Sequence, residues 1–293
     1  MAVPYKEVIN TIPENPALGG NAIKWLLNTH LASWAKLYLP NSIRDPLRAL
    51  VTGEKPRYPL DEPIVKSFNG LEIKFWIKNR ADWYRILSDR ESGYRAELLD
   101  TLSKKGPGTF VDIGSAQGIY SLPAAAMGWR TYAIDPDPLS QQALQANIVI
   151  NPGLESKIIP LPLALGDKSE RLTLYKSRRG RGTASLRKTS HRLVDKIDVQ
   201  VEPLSKLISE DIVQAPQIVK FDPEGAEHRI LLGMEALLRS DMRPGDLFVE
   251  IHDAFLPKFG SSRIELLQFL DSCGYYAQKM WDQDTHCHFV CRG

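Results

Sequence analysis

Residues 109–118, T-F-V-D-I-G-S-A-Q-G, restrict the fold of this chain more than any other stretch. Phe110, Val111 and Ile113 suit a strand covered on both faces. Gly114 and Gly118 let the backbone turn tightly and approach a ligand, and an apolar helical pattern begins at Ile119. A strand that breaks into a glycine turn and then a helix opens a nucleotide site in a parallel α/β sheet, or else is a plain turn in an α/β core. A dinucleotide fingerprint, G-x-G-x-x-G, cradles a pyrophosphate at the helix N-terminus, but Ala116 stands where its second glycine belongs. Asp112, at the end of the strand, would repel a pyrophosphate and would suit an ammonium or a sulfonium. The expected ligand is therefore S-adenosylmethionine, with Asp112, Gly114, Ser115 and Gly118 around it.

Carboxylates recur at later strand ends. Residues 130–135 read as a second strand ending in Asp135, about twenty residues beyond Gly114, where an acid in such folds accepts both ribose hydroxyls. Asp135-Pro136-Asp137-Pro138 then starts a helix that Asp137 can cap, with Leu139, Ala143, Leu144 and Ala146 inward. Residues 157–165 read as a third strand running into Gly166-Asp167. Asp167 is either an adenine or ribose contact or an ordinary turn aspartate. Residues 217–221 form a compact strand that delivers D-P-E-G-A-E, and a helix from about Gly225 carries Ile230, Leu231, Met234, Leu237 and Leu238 inward. This puts Asp222 and Glu224 at the carboxyl edge of the sheet, where open α/β folds bind ligands. Residues 246–252 repeat the geometry, with Phe248, Glu250 and His252 on one face of the strand. The plainer alternatives are a paired structural acid for Glu250 and a satisfied loop histidine for His252.

Charge narrows the choice of partner. Over 293 residues the formal net charge is only +2, which predicts neither a nucleic-acid nor a membrane partner. The N-terminus lacks a basic-then-apolar pattern and no apolar run is long enough to cross a bilayer, so a cytoplasmic protein is expected. One segment departs from this balance: in residues 176–192, K-S-R-R-G-R-G-T-A-S-L-R-K-T-S-H-R, every formally charged side chain is basic. It reads as a solvated loop, as a substrate lid in which Arg178, Arg179 and Arg181 select an anion, or as a nucleic-acid surface. No aromatic side chains interleave the arginines, whereas recognition of single strands uses stacking rings. A phosphate, carboxylate or acidic glycan is the better anion.

Cys287 and Cys291 fall on one expected strand, about 13 Å apart and beyond disulfide reach, so reduced thiols are expected. In H-C-H-F-V-C, alternation puts His286 and His288 on one face and both cysteines on the other, which excludes a shared zinc ion. Asp222, Glu224 and Glu250 together carry enough oxygens for magnesium, but no metal is expected.

At the N-terminus, residues 21–38 place Ile23, Leu26, Leu27, His30, Leu31, Trp34, Leu37 and Tyr38 on one helical stripe that Pro40 ends. A second short helix runs to about Val51, and the proline-rich residues 56–63 read as a linker. Residues 1–60 are thus expected as a helical extension that packs on the main domain or on a second subunit, with the main domain at 61–293. Residues 64–68 and 71–77 flank Asn69-Gly70, the pair of a two-residue hairpin. Helical spacing then continues up to Gly106-Pro107-Gly108. A helix over residues 262–273 and strands over 275–281 and 286–291 close the sheet antiparallel.

Taken in order, V-D-I-G-S-A-Q-G, D-P-D-P, L-A-L-G-D, V-K-F-D-P-E-G-A-E-H with L-L-G-M, and V-E-I-H resemble the FkbM-type S-adenosylmethionine-dependent O-methyltransferases, from about Ile64 to the C-terminus. The resemblance implies an α/β, Rossmann-like class I methyltransferase fold with a seven-stranded, mostly parallel sheet, and methylation of a hydroxyl on a small molecule, sugar or glycan. It implies further that Asp112, Gly114 and Gly118 line the methionine end, that Asp135 meets the ribose, and that Asp222 and Glu224 stand beside the reaction centre. The chain departs from the family pattern at Ala116, usually asparagine, at Asp135, usually glutamate, and at Pro223, usually valine. Methyl transfer from a sulfonium is an in-line displacement in which alignment supplies much of the rate. An unshifted imidazole titrates near pH 6.5, which makes His252 the expected base, with Asp222 and Glu224 as alternatives.

Overall fold

The computed structural model describes residues 61–78, 80–87, 92–177, 184–185, 194–282 and 287–293. The expected N-terminal extension, residues 1–60, lies outside them, as do Arg178, Arg179 and Arg181 of the basic segment. Leu60–Gly293 forms one unit.

β1 (Glu62–Phe68) and β2 (Leu71–Ile77) form the hairpin expected from Asn69-Gly70. Both turn residues have positive φ, 47° and 83°, which asparagine and glycine tolerate best. The second edge of β2 is satisfied from the helix α4 (Pro138–Val149) and the residues just after it. Asn147 Oδ1 accepts the Trp76 backbone N–H at 2.7 Å, and Asn151 accepts from and donates to the Lys74 backbone at 2.9 and 2.8 Å. Two amides four residues apart thus stand in for a neighbouring strand. The helical pattern that follows the hairpin resolves into α1 (Arg80–Leu87) and α2 (Ser92–Lys105).

The central sheet has seven strands in the order β12 (Tyr276–Asp282), β13 (Cys287–Arg292), β11 (Asp246–Ile251), β10 (Ile218–Phe221), β3 (Thr109–Ile113), β4 (Arg130–Ile134) and β5 (Ile158–Leu161). β13 alone runs against the rest. The chain order reverses between β3 and β10, and this switch point opens the crevice in which ligands of such sheets sit. α3 (Ser121–Ala126) follows the glycine turn after β3.

The two faces of the sheet follow the period of two. Val111, Ile113, Val219, Phe221, Val249 and Ile251 enter one apolar core. Phe110, Ile218, Phe248 and Val290 enter the other, beside the hairpin and α2. Asp112, Lys220, Glu250 and His288 share the parity of this second set, so a row of polar groups closes that core toward the carboxyl edge.

Three expectations change. The third strand is not continuous over 157–165: Pro162 carries no N–H for a ladder, the chain bends with the Leu163 N–H on Leu161 O at 3.0 Å, and β6 (Ala164–Leu165) joins a separate four-stranded sheet. That sheet, in the order β6, β9 (Val194–Glu202), β7 (Glu170–Ser177), β8 (Ala184–Ser185), encloses a small core of Ala164, Leu174, Val199 and Val201. It precedes the short helix α5 (Leu204–Ser209). The helix expected from Gly225 divides at Met234 into α6 (Glu227–Gly233) and α7 (Glu235–Leu238). Leu139 is 44% exposed rather than inward, and Asn147 takes the buried position on α4. After β11 the chain forms α8 (Arg263–Ser272), capped by Ser262. Among the described residues no helix is long and apolar enough to cross a membrane.

Candidate active site

A cavity of about 610 Å³ opens over the switch point. Gly114, Ser115, Asp135, Pro136, Asp222, Glu224, Glu250 and His252 all line it, as the sequence suggests. Its floor is the turn after β3, fastened to the end of β4 by the Gly114 and Ser115 N–H groups on Ile134 O at 2.9 and 3.2 Å. Gly114 has φ +74°, and a Cβ there would meet Asp222 O at 2.1 Å. Only glycine lets the ends of β3 and β10 come this close. Ala116 has φ +48°, a conformation that costs a residue with a Cβ roughly 1–2 kcal/mol. It aims its N–H at Asp135 Oδ2, 2.9 Å away. Asp135 Oδ1 accepts the Asp137 N–H, also at 2.9 Å. Asp135 is 8% exposed, and burial pushes its carboxyl up to about 6 against the pull of those two hydrogen bonds. Asp137 caps α4 through the Leu139 N–H.

At the other end of the cavity charges hold one another. Lys220, 2% exposed, carries its Nζ 3.4 Å from Asp112 Oδ1 and 3.6 Å from Asp222 Oδ2, donates to Gly114 O at 3.3 Å, and stands 5.0 Å from the centre of the Tyr120 ring. Next to it, His252 Nε2 lies 3.6 Å from Asp222 Oδ1 and 3.5 Å from Glu250 Oε1. His252 Nδ1 is hydrogen-bonded to Glu227 Oε1 at 2.6 Å. The same Glu227 oxygen accepts the backbone N–H groups of Gly225 and His252. Glu250 continues to His288 Nε2 at 3.3 Å. Glu224 sits at φ +53°; burial raises its carboxyl well above the usual range, as do Asp222 and Glu250, while His252 and Arg85 pull it down.

This geometry corrects four of the expected site residues. Asp112 is fully buried and does not line the cavity. It lies one residue before the strand end, on the face covered by α3, where Ser121 Oγ donates to Oδ2 at 2.6 Å and Lys220 neutralises Oδ1. Gly118 is a packing glycine, since a Cβ would come within 2.6 Å of Leu144 Cδ1. Gly166 meets another backbone, its oxygen lying 1.9 Å from where a Gly233 Cβ would be. Asp167 accepts from Arg229 Nε at 2.7 Å and is absent from the cavity wall, because the break at Pro162 removes it from the central sheet.

His252 is corrected in role. Burial opposes its imidazolium, but the hydrogen bond and charge of Glu227, with the charges of Asp222 and Glu250, outweigh that and carry the ring up to about 10. At neutral pH it is already protonated and cannot take a proton.

Arg85, Arg95, Tyr120 and Lys220 also line the cavity, and Glu227 orients His252, all without having been singled out. Lys220 was detectable as a lone cation in the apolar strand I-V-K-F, a charge that burial obliges to pair. Glu227 stands in D-P-E-G-A-E but needs the fold to bring it to His252, whereas nothing local marks the two arginines on their helices.

The methyltransferase FkbM domain, as a family model, matches residues 112–276, more than half of the chain. No curated protein matches significantly. Among solved structures, the methyltransferase FkbM from Methylobacillus flagellatus KT is similar over 62% of this chain and 43% of that one, at 17% identity and a TM-score of 0.42. The chain therefore spans less than half of that relative's length. Precorrin-6y C5,15-methyltransferase from Geobacter metallireducens GS-15 is similar over 71% and 90%, at 12% identity and a TM-score of 0.42. TrmK from M. capricolum, in complex with its natural cofactor product S-adenosyl-homocysteine, is similar over 67% and 66%, at 11% identity and 0.39. With its class I methyltransferase sheet and this domain match, the chain belongs to the FkbM-domain methyltransferase family.

Proposed function

We propose that this protein transfers the methyl group of S-adenosylmethionine to a hydroxyl of a small molecule, sugar or glycan. The observation that carries the reading is the cavity itself, in which a backbone-held acid and an acidic, water-accessible reaction end share one wall at the switch point. The residues present fit the cofactor. Asp135 keeps acceptor capacity for two ribose hydroxyls beyond the two N–H groups it already takes. Ser115 Oγ is buried in the wall with no hydrogen-bond partner, and Ile134, Leu163 and Leu165 offer an apolar lining for a base. Bound there, S-adenosylmethionine supplies an electrophilic methyl group on a sulfonium.

The chain's own residues do the rest. Asp222, its side chain 33% exposed and held between Lys220 and His252, replaces His252 as the acceptor of the hydroxyl proton. Imidazolium His252 orients Asp222 and Glu250. Arg85 and Arg95 on the same wall suit an anionic group on the acceptor. A cytoplasmic setting belongs to this reading and agrees with three buried, free thiols at Cys273, Cys287 and Cys291.

Calorimetry with S-adenosylmethionine tests the cofactor, and transfer of an isotopically labelled methyl group to a panel of hydroxylated sugars and carboxylated small molecules tests the reaction. Tighter binding of a nicotinamide dinucleotide, or label appearing only on RNA, would overturn it.

A further inference from the structure

Three donors from two adjacent strand ends converge at the reaction end: a carboxylate oxygen of Asp222, one of Glu250, and a ring nitrogen of His252, all within 4.8 Å of one another. The contacts of Nε2, 3.6 and 3.5 Å, are not charge-assisted hydrogen bonds, which close to about 2.7–2.9 Å. They are near the spacing of two ligand atoms that flank a cation at about 2.0–2.2 Å each.

An independent feature lies outside the three donors. Glu227 Oε1 is 2.6 Å from Nδ1 and already collects two backbone N–H groups. As a carboxylate it only accepts, so Nδ1 carries a proton and Nε2 is the nitrogen turned toward Asp222 and Glu250. A carboxylate that fixes the tautomer and plane of a histidine in this way is the usual support of a metal-binding imidazole. Without a metal that nitrogen holds the second proton of the imidazolium, and a divalent cation bound between the two carboxylates takes the proton's place and releases it to solvent.

We propose that Asp222, Glu250 and His252 bind a divalent first-row metal ion. One nitrogen and two carboxylates favour Mn²⁺, Fe²⁺, Co²⁺ or Zn²⁺ over the all-oxygen preference of Ca²⁺ and Mg²⁺. Three protein ligands leave coordination positions open toward the cavity, and Asp222 is the ligand nearest Lys220. Glu224, which the sequence groups with the acids, is not one of the three. The metal site stands on its own geometry; only its placement beside an acceptor hydroxyl rests on the proposed methyl transfer.

The test uses the full chain, stripped with a chelator and titrated with Mn²⁺, while the free-ion EPR signal and the heat are followed. One ion per chain is expected, with affinity at least tenfold weaker in Glu250→Gln and His252→Gln, and about tenfold weaker in Glu227→Gln. For the unmodified protein loaded with one equivalent, pulsed EPR should detect coupling to a single imidazole nitrogen, a readout that needs no variant to fold. Absence of bound Mn²⁺ and Zn²⁺, binding unchanged by the ligand substitutions, or a bound ion without nitrogen coupling would each overturn the site. S-adenosylmethionine calorimetry on the stripped protein separates the two proposals, since cofactor binding without metal binding sinks only this one, and the reverse sinks only the function.

Discussion

The two ends of the cavity hold their acids in opposite ways. At the end beside the glycine turn Asp135 is fixed by two backbone N–H groups from chain segments close to it in sequence or strand order. At the other end Asp222 and Glu250 are held largely by the side chains of Lys220, His252 and His288, with Glu227 bracing His252 from behind. A carboxylate held by backbone survives changes in its neighbours. A mutual network does not, because removing one member leaves the others buried and uncompensated.

That contrast breaks most sharply at Lys220. Lys220→Met leaves Asp112 and Asp222 without their shared cation, and a loss of about 3–5 kcal/mol is expected in urea unfolding. A loss under about 1 kcal/mol would mean that the acidic end is not a network.

Asp222→Asn should lower turnover by about a hundredfold while the chain stays folded and cofactor affinity changes far less. Near-normal turnover on the true acceptor would return the proton-accepting role to Glu224 or leave alignment alone to do the work.

Asp135→Ala should weaken S-adenosylmethionine by about 10–100-fold, corresponding to about 1.5–3 kcal/mol for hydrogen bonds to a charged group. Its carboxyl titrates near 6 in the folded protein. Below that pH it is neutral and loses acceptor capacity, so affinity should fall as pH drops through 6, approaching tenfold per unit. Calorimetry of the wild type and of Asp135→Ala between pH 5 and 8 checks this, and equal slopes would remove Asp135 from the site.

The smallest effect belongs outside the cavity. Arg229→Ala disrupts the partly exposed pairs with Asp167 and Glu170 and should cost no more than about 1 kcal/mol, with cofactor affinity unchanged. A loss of affinity like that of Asp135→Ala would restore Asp167 as a cofactor contact.

The hairpin, the run of buried strands along the chain and the placing of Asp135 at a strand end were legible because each rests on local chemistry. Asn69-Gly70 names its own turn, apolar runs name buried strands, and Asp135 follows its strand at the expected distance. Asp112 misled because a strand-end acid and one a single residue earlier look alike in a motif, yet the period of two sends them to different surroundings. Pro162 was a visible warning that the third strand would end early, and it moves Gly166 and Asp167 out of the site.

The sequence by itself determined the fold class, the glycine turn and the set of acids delivered to the carboxyl edge, since spacing and residue type dictate these within one segment. Only the tertiary structure decided what each acid does. Lys220 meets Asp112 across β10 and β3, and Glu227 meets His252 from a different element. The charge of His252 is therefore a property of three carboxylates brought together from Asp222, Glu227 and Glu250, and no pattern local to residues 246–252 contains it.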